Sequence, residues 1–201
     1  MDRLASALAA IDAANADDPN TIVVGGVERP KELAHAELMT AWVRRLDPDC
    51  SEEQLLAARA HHLRRWTVPR ASYPEGRAGY LRWRTALKKQ HAEEVGAILR
   101  SAGYDEAVAE RVGSIIRKQG LGHDDAVQTH EDALCLVFLE TQFDELADRL
   151  GDDKTIDILR KTAAKMSPQG LAAAQALTFS PAAADLLTRA RAAGRAPPGA
   201  R

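Results

Sequence analysis

The run AARAHHLRRW, residues 57–66, places two imidazoles side by side and follows them with two guanidinium groups. Imidazole nitrogens bind transition metals or accept protons, and guanidinium groups bind phosphate through paired hydrogen bonds. His61 and His62 are therefore metal ligands, a general base, or two polar residues on a solvated turn. The choice depends on what other segments bring to the same place.

Three further residues repeat this chemistry on other predicted helices. His35, His91 and Asp132 each recur with apolar residues at spacings of three and four, which places them on buried helix faces. An isolated buried polar group costs free energy unless it is paired, but a metal ion neutralises several that converge. One such histidine alone is more often an ordinary core residue. The joint arrangement over four helices predicts a metal site made by His35, His61, His62, His91 and Asp132.

The remaining two histidines do not share this pattern. His123 is expected in a turn, and His130 is expected in the capping region at the start of a helix. On the predicted helix over 51–66, His61 and His62 would lie about 100° apart around the axis.

A basic segment starts directly after the histidine pair. Residues 64–89 carry arginines, lysines and aromatic side chains, with Glu75 as their one acid. A phosphate could be held here beside the metal, with aromatic faces available to bases. The alternative is a solvated helix face whose arginines pair with neighbouring acids. The candidate phosphate ligands are Arg70, Arg77, Arg82, Arg84, Lys88, Arg117 and Lys118.

Three residues are candidates for catalysis itself. Arg64 and Arg65 would offset the charge that develops on the phosphate. Glu131 precedes Asp132 and could orient that ligand or a water, although helical geometry turns its side chain away from Asp132.

The elements that must position these residues are almost all helical. Apolar residues recur every three or four positions, and Ala, Leu, Arg and Glu dominate, which predicts an all-α helical bundle. TIVVGGVE predicts a small hairpin that turns at Gly25-Gly26, and KMSPQG predicts a helix end at Pro168 and Gly170. One domain is expected over 1–192, with a disordered tail over 193–201. The expected helices cover residues 2–15, 31–46, 51–66, 79–102, 105–118, 129–149, 153–165 and 181–192.

Bulk composition narrows the class further. The chain has 201 residues, with Lys+Arg 27 against Asp+Glu 29, so any basic patch is local. No apolar run approaches the roughly 18 residues of a membrane span, and no secretory signal is apparent. Cys50 and Cys135 lie far apart and fit no zinc-knuckle spacing. These features predict a cytoplasmic protein that does not enter the membrane.

The histidine and aspartate pattern resembles the HD-domain superfamily of metal-dependent phosphohydrolases over roughly residues 31–145. These all-helical proteins carry a first histidine, a later His-Asp pair and a distant aspartate. His35 looks like the first histidine, His61-His62 stands where the pair would fall, and Asp132 where the last aspartate would. His91 fits an additional ligand. The chain departs from the pattern at His62, where an aspartate is usual. This loss of negative charge favours Zn²⁺, Fe²⁺, Mn²⁺ or Ni²⁺ over Mg²⁺.

Over nearly its full length the chain is similar to the family called domain of unknown function 4202. The similarity is carried by AARAHHLRRWTVPRASYPEGRAGYLRWR and by IDILRKTAAKMSPQG. It implies no established activity.

Together these patterns predict a metal-dependent phosphohydrolase that acts on a nucleotide or another phosphate ester. Two alternatives stay open. One is a di-iron oxygenase on an HD-type fold, which would use the extra histidines. The other is a non-catalytic module that binds RNA or a nucleotide through the basic segment. The sequence leaves open the substrate, the number of metal ions and the oligomeric state.

Overall fold

The computed structural model describes residues 2–194, with side chains as far as residue 190. The predicted tail over 193–201 therefore lies almost wholly outside the described residues. The described chain is mostly helical, with one small antiparallel hairpin near its start, as the sequence predicts. In order, its elements are α1 Arg3–Ala16, β1 Thr21–Val24, β2 Val27–Pro30, α2 Lys31–Leu46, α3 Glu52–Arg59, single 3₁₀ turns at Arg65–Thr67 and Arg70–Ser72, α4 Gly76–Ser101, α5 Glu106–Arg117, α6 Asp125–Thr141, α7 Phe143–Leu150, α8 Asp152–Ala163, α9 Pro168–Gln175 and α10 Pro181–Gly194.

The hairpin turns where the glycine pair predicts. Val24 pairs with Val27, and the two residues between them, Gly25 and Gly26, have φ of 59° and 81°. Two consecutive positive φ angles define the tight turn whose twist matches that of antiparallel strands. β2 leads directly into α2, whose bounds agree with the predicted 31–46.

The chain divides into two compact units between His130 and Glu131. The first unit has a core of aliphatic side chains from α1, α3, α4 and α5, including Ile11, Leu56, Leu99 and Ile115. The second unit has its own core, built around Phe143 with residues of α6, α8 and α10. Within residues 2–194, none of the helices combines the length and hydrophobicity that a membrane span requires.

α3 is shorter than its composition predicts. Its start is fixed by a capping box, in which Ser51 and Gln54 each accept a hydrogen bond from the other's backbone N–H. It ends at Arg59, and the chain then passes through turns to Arg64, whose φ is 49°. The predicted helix over 51–66 is therefore wrong beyond Arg59, and the histidine pair lies on the turn.

Two further helix boundaries differ from the predictions. The segment predicted as one helix over 129–149 forms α6 and α7, with a break at Gln142. α6 begins earlier than predicted because the Asp124 carboxylate accepts the N–H groups of Ala126 and Val127. His130 is consequently inside the helix, and its expected place near the start was wrong.

α9 begins where a helix end was predicted. The Ser167 hydroxyl accepts the N–H of Gly170 at 3.0 Å, and Pro168 occupies the first turn, where its missing N–H costs nothing. α8 already ends at Ala163, so Pro168 begins α9 and does not end the preceding helix.

Candidate metal centre

The turn that carries the histidine pair is held by the end of α1. Asn15 is fully buried, and its side-chain oxygen accepts the backbone N–H of Arg64 at 3.1 Å. A positive φ is unfavourable for an arginine, so this hydrogen bond helps to stabilise the turn. His61 and His62 precede it, with ring centroids 4.2 Å apart.

Glu32, His35 and His62 form the group best arranged to hold a metal ion. Glu32 and His35 lie one turn apart on α2, so their side chains project from the same face. The Glu32 Oε2 atom lies 3.5 Å from His35 Nδ1 and 3.0 Å from His62 Nδ1. One potential ligand atom from each residue lies within 4.8 Å of the others. Glu32 and His35 are buried, so this carboxylate is removed from water among imidazoles and could hold a metal ion.

Asp18 fixes the glutamate of this group from behind. Its buried carboxylate accepts the backbone N–H of Glu32 at 3.0 Å through Oδ2. Its Oδ1 atom accepts both the backbone and the side-chain N–H of Asn20, at 2.9 and 2.8 Å. The loop after α1 thus caps the first turn of α2, where Glu32 lies.

His61 extends the cluster towards α6. Its Nδ1 atom lies 2.8 Å from Nε2 of His130, so one ring donates a hydrogen bond to the other. Both rings are buried. Burial lowers the pKa of His61 well below its ordinary value, and the neighbouring His62 and His130 lower it further. The ring is therefore neutral near pH 7, the form in which imidazole binds metals.

His91 offers a ring nitrogen that the fold has left ready for a ligand. Its Nδ1–H donates to the Leu63 carbonyl at 2.8 Å, so Nε2 carries the lone pair. Nε2 is buried and has no hydrogen-bond partner in the described part of the chain. Burial lowers the pKa of His91 to about 4. Ligating histidines typically donate their other N–H to a carbonyl or carboxylate in this way.

A cationic pocket adjoins these rings. It encloses about 320 Å³, counting the space that is open to solvent. The Arg65 guanidinium lies 3.1 Å from His62 Nε2 and 5.0 Å from the centre of the Trp83 ring. Burial is the main cause that lowers the pKa of Arg65, and the nearby Arg84 adds to it. The pocket is lined by His61, His62, Arg65, Arg84, Leu87, Lys88, His91, Ile116 and Lys118.

Many of the predicted site residues meet at this pocket. Its lining includes three of the predicted metal ligands, His61, His62 and His91, and the predicted catalytic Arg65. The predicted phosphate ligands among its lining are Arg84, Lys88 and Lys118, and His35 joins the cluster through Glu32.

Other predicted phosphate ligands do not line the pocket. Arg70 donates to the carbonyls of Tyr73 and Pro74, and Arg117 pairs with Glu110 at 2.5 Å. Arg64, which was predicted as a catalytic residue, does not line the pocket either; it is about half exposed and lies 3.9 Å from Glu94. The two remaining candidates, Arg77 and Arg82, are exposed on α4.

The two predicted acidic residues belong to the second unit. The buried Asp132 carboxylate accepts the N–H of Ser167 at 2.9 Å and its hydroxyl at 2.5 Å. Glu131 is also buried, and its Oε1 lies 3.5 Å from Lys165 Nζ. Their proposed roles as ligand and orienting carboxylate stay predictions.

The sequence predictions missed two members of the cluster, Glu32 and His130. Glu32 stands three residues before His35, the spacing that puts a carboxylate and an imidazole on one helix face. For His130 the signal was Asp124-Asp125, a cap that starts the helix early enough to turn this ring inward.

The fold and these side chains define a mostly helical protein with a candidate metal centre beside a cationic pocket. The family model for a domain of unknown function (DUF4202) matches residues 5–187, and the chain belongs to this family. Searches of the curated proteins and of the solved structures each returned no match.

Proposed function

We propose that this protein is a metal-dependent phosphohydrolase in which Glu32, His35 and His62 hold a divalent ion. The observation that carries the proposal is that His62 belongs to two neighbouring features of the site. Its ring belongs to the candidate metal group and also lines the cationic pocket. A phosphate in that pocket would therefore lie beside the ion.

The donor set indicates which ion fits. Two imidazoles and one carboxylate suit Zn²⁺, Fe²⁺, Mn²⁺ or Ni²⁺ better than Mg²⁺, which prefers oxygen ligands. The HD pattern has an aspartate at the position where this chain has His62. Glu32, whose Oε2 atom lies 3.0 Å from His62 Nδ1, would supply the negative charge instead. Three protein ligands leave positions open for water and substrate, as in catalytic sites. A bound ion would polarise a phosphoryl oxygen and lower the pKa of its water from about 15.7 towards about 7.

The chain's own residues would bind and orient the phosphate. Arg65 is held by its contacts with His62 and Trp83, so its guanidinium loses little freedom when it binds an oxygen. Arg84, Lys88 and Lys118 add positive charge at the same pocket. Such preorganised charges stabilise a transition state in which negative charge spreads over the phosphoryl oxygens. The HD-like pattern of His35, His61-His62 and Asp132 supports the same reaction class.

The experiment is metal analysis followed by a turnover screen. Protein purified without chelator should carry divalent metal, and one of Zn²⁺, Mn²⁺, Fe²⁺, Ni²⁺ or Mg²⁺ should support hydrolysis of a phosphate ester. His62→Ala should abolish both properties. His123→Ala removes an exposed histidine of the first unit and should change neither. Protein that stays metal-free and inert with every ion would overturn the proposal.

A second candidate is oxygen chemistry at iron. Two histidines and one carboxylate are also the ligands of non-haem Fe(II) oxygenases. Tight iron binding together with oxygen-dependent product formation, in place of phosphate release, would favour this candidate.

A further inference from the structure

The two arginines that line the pocket, Arg65 and Arg84, have different partners from Arg59 and Arg111, which also belong to the first unit. Arg59 and Arg111 each form a two-point hydrogen-bonded pair with a carboxylate, Asp12 and Asp124 respectively. Arg65 and Arg84, in contrast, make no ion pair within 4.0 Å of any carboxylate in residues 2–190. Their guanidinium groups contact the aromatic residues Trp83 and Tyr80. Two guanidinium groups are therefore available to a ligand at one place.

The pocket is lined by cationic side chains, and the nearby Glu32 carboxylate contacts His62, one of its lining residues. Arg65, Arg84, Lys88 and Lys118 all line it, and its lining contains no aspartate or glutamate. Like charges that are brought together repel, and the repulsion is relieved most by the ligand with the most negative charge. A terminal phosphate carries about −1.5 to −2 near pH 7, whereas the phosphate inside a nucleic-acid strand carries one charge.

His91 is a second, independent sign of a ligand. Its Nε2 is buried at the pocket lining and has no hydrogen-bond partner among the described residues. Such an acceptor costs free energy unless a water or a ligand hydroxyl supplies the missing donor. The pocket is partly open to solvent, so a phosphate group could reach its cationic lining from outside.

We infer that the pocket binds the terminal phosphate of a phosphate monoester and discriminates against phosphodiesters. This inference names the substrate class of the proposed phosphohydrolase and rests on it for turnover. The binding itself depends on the cationic side chains, so it is measurable in metal-free protein.

The test compares methyl phosphate with dimethyl phosphate, which differ by one methyl group and one charge. Each is titrated calorimetrically into the full chain after chelator treatment. Methyl phosphate should bind at least about tenfold more tightly than dimethyl phosphate. Arg84→Gln should weaken methyl phosphate binding by roughly tenfold, because a charge-assisted hydrogen bond is lost. Arg100→Gln, which removes an exposed arginine of the same helix, should leave it unchanged.

A second matched pair covers the case in which Arg84→Gln fails to fold. Lys88→Gln removes an ammonium group that lines the pocket, and Lys89→Gln removes its exposed neighbour. The first change should weaken methyl phosphate binding and the second should not. Equal affinities for the two esters, or equal losses in both members of a pair, would overturn the inference.

Turnover separates this inference from the proposed function. If methyl phosphate binds as expected but no divalent ion supports hydrolysis, the monoester site stands and the phosphohydrolase proposal fails. If metal-loaded protein hydrolyses diesters as readily as monoesters, the phosphohydrolase proposal stands and the assignment to monoesters fails.

Discussion

The Glu32 carboxylate oxygen Oε2 lies 3.0 Å from Nδ1 of His62, although 30 residues separate them in the chain. α2 carries the glutamate, and the turn after α3 carries the histidine. Glu32 is 5% exposed. A buried carboxylate is tolerated when hydrogen bonds or a cation compensate its charge. Here its neighbours are imidazole rings, which bind metal ions in their neutral form. The pair therefore joins the two segments and provides mixed oxygen and nitrogen ligands for one ion.

Replacing Glu32 with glutamine should weaken metal binding while the fold is retained. Glutamine has nearly the same shape but lacks the charge and is a poor metal ligand. The affinity for Zn²⁺, measured by competition with a coloured chelator, should fall by at least about tenfold. Glu37→Gln is the control, because Glu37 lies on the same helix and pairs with Arg29 instead. Equal losses in the two variants, or none in Glu32→Gln, would contradict the assignment of Glu32 as a ligand.

Asp18→Asn tests whether the loop after α1 positions that ligand. The change removes one acceptor from a carboxylate that holds Glu32 and Asn20, so Glu32 gains freedom. We expect Zn²⁺ affinity to fall by roughly tenfold, as for other residues that orient ligands, with a cooperative unfolding transition still present. Asp17→Asn is the control, because Asp17 is the exposed neighbour of Asp18. This variant should keep its full affinity for Zn²⁺. Unchanged affinity in Asp18→Asn would remove this positioning role.

The sequence predicts the ends of an element correctly where neighbouring residues determine those ends. The bounds of α2 and the turn of the hairpin follow from residues within a few positions, such as Gly25 and Gly26. The end of α3 does not. Ala, Leu and Arg favour helix through residue 66, but the chain turns after Arg59 and is held by the hydrogen bond from Arg64 to Asn15, 49 residues away. Tertiary contacts overrode propensity there.

In the candidate site, too, local sequence signals predict some features and tertiary packing determines the others. The residue types and the helical spacing predict that His35, His61 and His91 are metal ligands, and the structure places all three in the cluster of buried polar residues. Which atoms meet depends on the packing of helices that are distant in the chain, and no sequence period encodes it. The spacing of Glu32 and His35 places both on one face of α2, but only the packing of the turn after α3 against that face brings His62 within reach of Glu32.

Gly170→Ala should destabilise the second unit. A Cβ at residue 170 would lie 2.5 Å from Asp132 Cγ, a distance that forces α9 or the carboxylate to move. The hydrogen bonds from Ser167 to Asp132 would be strained by either movement. Overpacking of this kind typically costs about 1–3 kcal/mol in the free energy of unfolding, which urea denaturation measures.

A second helical glycine is the matched control for that change. At Gly96 a new Cβ would meet only the flexible end of the Arg100 side chain, at 3.4 Å. Alanine favours helix over glycine by up to about 1 kcal/mol, so Gly96→Ala should be neutral or stabilising. If the two substitutions have the same effect, the close approach of α9 to Asp132 is not what requires a glycine at residue 170.

Stability at alkaline pH should depend on Tyr104. Its phenol O–H donates to the Glu52 carboxylate at 2.8 Å. Burial, followed by this hydrogen bond, raises the pKa of Tyr104 from 10.0 to about 12. Because the folded pKa is raised, the neutral phenol stabilises the fold fully below about pH 10, the unfolded value. The contribution is lost as the pH rises from there through the folded pKa.

Tyr104→Phe isolates that contribution, since phenylalanine keeps the ring and cannot ionise. Urea unfolding between about pH 8 and about pH 11.5 should show the wild-type protein losing roughly 1 kcal/mol more than the variant over this interval, because solvent screens the partly exposed Glu52 carboxylate. Other groups that titrate in the same range affect both proteins alike and cancel in the difference. Parallel pH profiles for the two proteins would mean that neither burial nor the hydrogen bond to Glu52 raises the phenol pKa in the folded protein. A wild-type loss confined to below about pH 10 would contradict the sign of the shift.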